Sequence, residues 1–199
     1  MAIFTLNELQ ERRLLAIQND KLFKRKVLVC AGSACTANGS RKVYAELLRY
    51  AQELNLPVQV TLDNHQHDNG HESNSTYIAT SSCHGFCEMG PLVQIMPDGI
   101  LYVKVKPEDA KSIVDETLIK NQVVEKLSYL NPVNQQRCSG RTDIPFFAGQ
   151  TRTILRRNGL IDPESLDAYL AADGFIALEK ALFSMTPQQI REEIEASGL

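Results

Sequence analysis

The sequence contains no apolar run approaching the ~20 residues of a membrane-spanning helix. Its longest apolar stretches are strand-sized. It also lacks a prevailing charge: 21 basic residues face 24 acidic ones, for a net charge of −3. That balance gives no electrostatic reason to bind nucleic acid or a membrane surface. There is no G-x-x-x-x-G-K-S/T phosphate loop and no G-x-G-x-x-G dinucleotide fingerprint. No Ser–His–acid order can be assembled, and the C-x-x-C of a redox dithiol is missing. The first residues lack the basic-then-apolar order of a signal peptide. The expected compartment is therefore cytoplasmic and reducing, where disulfides are rare.

Against those absences stand five cysteines, four of them in two tight pairs. The first pair is Cys30-Ala-Gly-Ser-Ala-Cys35 and the second is Cys83-His-Gly-Phe-Cys87. Each pair puts two sulfurs on one loop, and two such loops can close around one metal centre. Cys₄ sets of this kind hold either a [2Fe-2S] cluster or structural zinc, and spacing leaves both open. A two-iron cluster needs four deprotonated thiolates, two for each iron. Small residues suit loops whose backbone N–H groups must face sulfur. Ala31, Gly32, Ser33 and Ala34 supply them in the first loop, Gly85 and Gly90 in and after the second. Cys138 stands apart and reads as a loop thiol outside the set. His84 lies between two candidate ligands, but four cysteines already complete the set, so an outward or supporting role is expected. His65, His67 and His71 fall in a polar stretch and read as a solvated loop. Phe86 is expected to shield the centre or pack into the core, and Glu88 to be exposed.

Hydrophobic periodicity places these loops. Residues 5–24 read as a helix, with Thr5 and Glu8 as a capping box and Glu11, Arg12, Arg13 and Lys21 solvated. Residues 26–30 read as a buried strand ending at the first cysteine. A helix over 40–54 follows, then a strand over 58–62, and a strand over 76–82 that delivers Cys83. Residues 92–96 and 100–105 flank Pro97-Asp98-Gly99, a strong hairpin signal. A helix opens at Pro107 and runs to about residue 118. The order β-α-β-β-β-β-α fits a thioredoxin-like α/β sandwich. Residues 128–150 carry little pattern and read as an extended linker. Three short helices then fill 151–199, too small a set for a convincing core of their own.

With these motifs in view, the chain resembles the thioredoxin-like [2Fe-2S] ferredoxin family. The resemblance runs through Val27-Leu-Val-Cys30-Ala-Gly-Ser-Ala-Cys35-Thr-Ala-Asn-Gly-Ser40 and Ser82-Cys-His-Gly-Phe-Cys-Glu-Met-Gly-Pro-Leu-Val93. It implies that Cys30, Cys35, Cys83 and Cys87 hold one [2Fe-2S] cluster that passes single electrons. Gln150-Thr-Arg-Thr-Ile-Leu-Arg-Arg-Asn-Gly-Leu-Ile-Asp-Pro-Glu-Ser165 and Thr186-Pro-Gln-Gln-Ile-Arg-Glu-Glu-Ile-Glu-Ala-Ser-Gly-Leu199 look like the start of an NADH-oxidising flavoprotein, or diaphorase, subunit. Such subunits occur in complex I, in NAD-reducing and electron-bifurcating hydrogenases and in NAD-dependent formate dehydrogenases. The resemblance divides the chain into an N-terminal helix (1–25), a ferredoxin domain (26–127), a linker (128–150) and the helical start of a truncated FMN- and NADH-binding domain (151–199). The Gly-rich FMN and NADH segment and the [4Fe-4S] cysteines of the full-length relatives are not in these 199 residues. Turnover of NADH by this chain alone is therefore not expected. The implied partners are the other subunits of an NAD-linked hydrogenase or formate dehydrogenase complex. The alternative is a structural zinc module that docks a partner and has no redox role.

Overall fold

A computed structural model describes residues 5–60 and 75–198. The histidine-bearing stretch expected as a loop lies outside the described residues. Contacts divide the chain into two units, one of residues 1–20 with 166–199 and one of residues 21–165. Among the described residues, no helix is long and apolar enough to cross a membrane.

The first unit is helical: α1 (Leu6–Asp20), α6 (Leu166–Ala171), α7 (Ile176–Ser184) and α8 (Pro187–Ser197). The capping box at its start is present, with Thr5 N donating to Glu8 Oε2 at 2.9 Å and Glu8 N to Thr5 Oγ1 at 3.3 Å. Arg12 and Arg13 are not simply solvated as their helix periodicity suggested. Arg12 forks onto the Asp167 carboxylate at 3.0 and 2.8 Å, and Arg13 reaches Glu179 at 2.7 Å. Those partners lie more than 150 positions away, beyond the reach of a helical-wheel argument. The N-terminal helix and the C-terminal helices thus form one unit.

The second unit is built on a five-stranded sheet in the order β2-β3-β1-β4-β5. Its strands are β1 (Arg25–Cys30), β2 (Val58–Val60), β3 (Thr76–Ser81), β4 (Val93–Met96) and β5 (Ile100–Tyr102). β3 runs parallel to β1 and β2, while β4 runs antiparallel to β1 and β5. After β1 comes a short helix, α2 (Ser33–Ala37), and then α3 (Ser40–Glu53). α3 presents Val43, Leu47 and Ala51 at a spacing of four, and all three are buried. The hairpin turns at Asp98-Gly99 as its sequence predicts, with Gly99 at φ +73°. The closing helix is irregular: a 3₁₀ turn at Pro107–Asp109, α4 (Ala110–Ser112) and a π-helix at Ile113–Ile119. This is the thioredoxin-like α/β arrangement read from the sequence.

Alternation along the strands decides what covers each face. Val27, Val29, Ile100 and Tyr102 join the larger core with α3 and the closing helix. Cys30 and Leu101 point the other way and join a second core with Phe86, Leu92, Val103, Ile144 and Phe147. That second face needs a cover, and residues 128–150 supply it rather than running as an extended linker. They form the ribbon β6 (Tyr129–Leu130) and β7 (Arg137–Cys138), then α5 (Pro145–Ala148). Isolated bridges link Tyr102 to Ser128 and Ile100 to Gly140, so the ribbon is tied to β5. The stretch carries no periodic signal, because its contact with the second core comes from a few scattered residues, Ile144 and Phe147 buried and Tyr129 and Cys138 partly buried.

Arg25 pins the far end of the sheet. Its Nε donates to Asp98 Oδ2 at 2.7 Å, and its Nη1 to Thr117 O at 3.0 Å and Asn121 Oδ1 at 2.8 Å. One buried guanidinium therefore ties β1, the hairpin turn and the π-helix end. Replacing Arg25 with leucine should lower the unfolding free energy by about 2–3 kcal/mol, because charge-assisted bonds are lost and buried carbonyls orphaned. The Arg25 hydrogen bond also holds the Asp98 carboxyl below its ordinary value. The pair's contribution is thus present above the normal carboxylate range and fades as pH falls through the lowered value. Urea unfolding of both proteins at neutral and acid pH should show the difference shrinking as pH drops.

Candidate metal centre

The two cysteine loops leave neighbouring strand ends. Cys30 closes β1, and its N–H donates to Leu92 O at 3.0 Å. The chain then turns at Gly32 into the single turn of α2, which carries Cys35. Ala31 N donates to Ser81 O at 2.9 Å, which anchors the first loop to the end of β3. Cys83 follows β3 by two residues. Gly85 reverses the chain at φ +80°, and Cys87 opens a 3₁₀ turn, Cys87–Met89. Because β1 and β3 pair in parallel, both loops emerge at the same end of the sheet, beyond the C-terminal ends of these two strands.

The two cysteine loops pack against each other there, Gly32 beside Cys83 and Gly90 beside Cys35. Sγ of Cys83 and Sγ of Cys87 are 4.0 Å apart. The Cys30 thiol is pulled down to about 6, first by the hydrogen bond from Cys35, against the opposing effect of burial. The backbone amides of His84 and Gly32 and the Cys83 thiol also favour its thiolate. Cys35 is pushed up as the donor in that pair, and burial adds to the rise. Cys87 is pushed up by its hydrogen bond to Cys83 and by the charge there. The shifts of Cys30, Cys35 and Cys87 are thus each set mainly by a neighbouring thiol. Burial differs among the four: Cys30 and Cys35 are buried, Cys83 is half-buried and Cys87 is exposed. Cys138 sits in β7 and packs on the second core. All five cysteines are free thiols.

Glycines let the loops meet. A Cβ on Gly32 would lie 2.9 Å from Cβ and 3.0 Å from Sγ of Cys83. A Cβ on Gly90 would lie 2.6 Å from Sγ of Cys35. Each loop thus presents a bare backbone to a cysteine of the other. Gly85 N also donates to Cys83 Sγ at 3.3 Å. Among the described residues, no three His, Cys, Asp or Glu side chains gather as a set for one metal ion. The thiols come two from each loop, a donor set that suits the two irons of a [2Fe-2S] cluster and also the four donors of structural zinc. Thiols paired in this way, with amides turned toward them, fit a two-iron cluster.

His84 is placed inward, not outward. It is fully buried, with Nε2 2.8 Å from Ser81 Oγ and Nδ1 unpartnered. Burial, then the charges of Arg141 and Arg152, pull it down to about 3, so the imidazole is neutral. Gly159 lies against the ring, where a Cβ would come within 2.7 Å. Phe86 is buried as expected. It stacks on Phe146 at 4.4 Å and meets Phe147 edge-on at 5.5 Å. Glu88 is exposed. Sequence reasoning missed Arg152 and Gly159, whose contacts to the second loop span 68 and 77 positions. Their one sequence signal is a positive charge and a glycine in a stretch without periodicity.

A family model for thioredoxin-like [2Fe-2S] ferredoxins matches residues 16–118, slightly over half of the chain. The chain belongs to this family. A 2Fe-2S ferredoxin of Aquifex aeolicus (strain VF5) is 31% identical over 94 residues, covering 47% of this chain and 71% of that protein. A 2Fe-2S ferredoxin of Clostridium pasteurianum is 25% identical over 104 residues, covering 52% of this chain and 94% of that one. A shorter match, 44% identical over 50 residues, is to the NADP-reducing hydrogenase subunit HndC of Solidesulfovibrio fructosivorans, and covers 25% of this chain and 10% of that subunit. The solved thioredoxin-like [2Fe-2S] ferredoxin from Aquifex aeolicus is 28% identical, covers 52% of this chain and 87% of its own, and superposes with a TM-score of 0.40. In this ferredoxin-family chain, the matched segment takes in both cysteine loops and the hairpin between the two cores.

Proposed function

We propose that Cys30, Cys35, Cys83 and Cys87 hold one [2Fe-2S] cluster and that the protein passes single electrons through it. The observation that carries this reading is the packing of two cysteine loops on each other across Gly32 and Gly90 at one end of the sheet. When bound, such a cluster accepts and releases one electron without making or breaking a bond to a substrate. The chain's own residues do the rest. The cysteines supply thiolates, and amides of Gly32, His84, Gly85 and Leu92 turn toward the sulfurs. Such hydrogen bonds, together with solvent exposure, set the reduction potential. Leu92, Leu101 and Phe86 keep water from the Cys30 and Cys35 side, while Cys87 stands at the surface. The exposed rim is where an electron donor or acceptor can approach most closely.

The match to HndC favours a place in a larger NAD(P)-linked assembly. In this reading the protein is the ferredoxin module of a diaphorase-type subunit of a hydrogenase or formate dehydrogenase. Its partners are a flavin-bearing domain and other iron–sulfur subunits, in the reducing cytoplasm that keeps thiols free. Anaerobically purified protein should be reddish brown and hold two irons and two labile sulfides per chain, as one [2Fe-2S] cluster requires. Dithionite should bleach it and produce an S = ½ EPR signal. Colourless protein with one zinc per chain would replace this reading with the structural zinc module.

A further inference from the structure

Two arginines lie close to the second cysteine loop. Arg152 lies against that loop. Its Nη2 donates to His84 O at 2.8 Å and stands 3.2 Å from where a Cβ on Gly85 would sit. Its guanidinium is 5.1 Å from the centre of the Phe147 ring, and that of Arg141 is 4.6 Å from the same centre. Two cations thus share one phenyl ring, which itself meets Phe86 next to Cys87. Neither is paired with a carboxylate among the described residues. Arg141 has a buried Nη1 with no hydrogen-bond partner. Its pKa is lowered by burial and then by the charge of Arg152. A buried guanidinium beside another cation is unfavourable unless an anion lies close. Among the described residues no carboxylate forms a salt bridge with either cation, although Glu88 and Asp143 lie nearby in the chain. A [2Fe-2S] cluster held by the four cysteines would supply such an anion, with a negative charge that would grow by one on reduction.

We propose that Arg141 and Arg152 form a cationic brace that holds the second cysteine loop in place and favours the reduced state of the cluster. This rests on the reading that the four cysteines bind a [2Fe-2S] cluster. Arg152 orients the loop directly, through the His84 carbonyl between Cys83 and Cys87. Arg141 acts through its charge, which its half-buried position shields in part from screening by salt. On reduction by an external donor, one electron enters, one ferric iron becomes ferrous and no bond changes. The added negative charge is stabilised by the two cations, so both are positioning residues for electron uptake. The brace comes from residues beyond the segment matched to the family, which ends at residue 118.

The test is an EPR-monitored redox titration of the full chain, purified anaerobically. Arg152→Gln and Arg141→Gln should each weaken electron uptake by about tenfold, equivalent to a midpoint about 59 mV lower for a one-electron couple. Arg152→Lys, which keeps the charge, should stay near wild type. Arg49→Gln, on α3 beside Glu46 and Glu53, should change nothing. Glutamine variants titrating at the wild-type midpoint overturn the proposal and leave the cluster assignment standing. Glutamine variants that take up no iron while Arg152→Lys does support it, because charge is then what holds the loop. Loss of iron in Arg152→Lys as well assigns the role to guanidinium shape and overturns the charge argument. Wild-type protein without iron and sulfide removes the cluster reading and this proposal with it.

Discussion

Replacing Cys35 with serine should abolish cluster loading and lower the stability of the holoprotein by about 3 kcal/mol, or about 10 °C in Tm. The size of the effect follows from where the sulfur sits. Cys35 is buried, hydrogen-bonded to Cys30, and in close contact with Gly90. A serine hydroxyl there would be a poor thiolate substitute in a pocket that water cannot enter. Cys87→Ser should behave differently. Cys87 is exposed, so solvent can reach the vacated position and a labile, partly loaded cluster should survive. Cys138→Ser, in the β6–β7 ribbon, should load as wild type. Iron and sulfide content, EPR and thermal melts separate the three. Full loading of both Cys30→Ser and Cys35→Ser would remove the first loop from the ligand set.

The second large effect is expected at a position with no ligand atom. Gly90→Ala would drive a methyl group to 2.6 Å from the Cys35 sulfur and 3.3 Å from the Cys87 carbonyl oxygen. Neither neighbour can yield easily. Cys35 is buried, and the Cys87 carbonyl accepts from Gly90 N at 3.1 Å. One loop must retreat, and the sulfur pairs separate. We expect loading to fall at least tenfold, because ligands misplaced by a few tenths of an ångström no longer share one cluster. Gly32→Ala should do less, since it meets the half-buried Cys83 on the loop closer to solvent. Gly99→Ala is the control. Gly99 has φ +73° and nothing within 4 Å of its Cβ site, so alanine there costs about 1 kcal/mol in backbone strain without touching the sulfurs. Normal loading in Gly90→Ala would show that the loops do not meet as described.

Much of the fold is legible in the residues. Val27 and Val29 alternate with Leu28 and Cys30, so β1 declares itself a strand buried on both faces. Val43, Leu47 and Ala51 mark the helix above it, and Asp98-Gly99 marks the hairpin. The four cysteines stand out because their spacing is local, two sulfurs within five or six positions on each loop. The cover of the second core is not legible. It depends on Ile144 and Phe147 reaching Leu101 across some 40 positions, with no repeating pattern between. Arg12 and Arg13 mislead in the same way, since each reads as a solvated helix charge and each finds a carboxylate from the far end of the chain.

By itself the sequence determined which sulfurs are paired, which residues around them are small, and the order of strands and helices that carries them, because all of these depend on near neighbours along the chain. Only the tertiary structure decided that Gly32 lies on Cys83, that Gly90 lies on Cys35, and that Arg152 and Gly159 close over His84. The parallel pairing of β1 and β3 brings two loops about 50 positions apart to one end of the sheet. Contacts made that way come from packing and register, which no local pattern of residue types encodes.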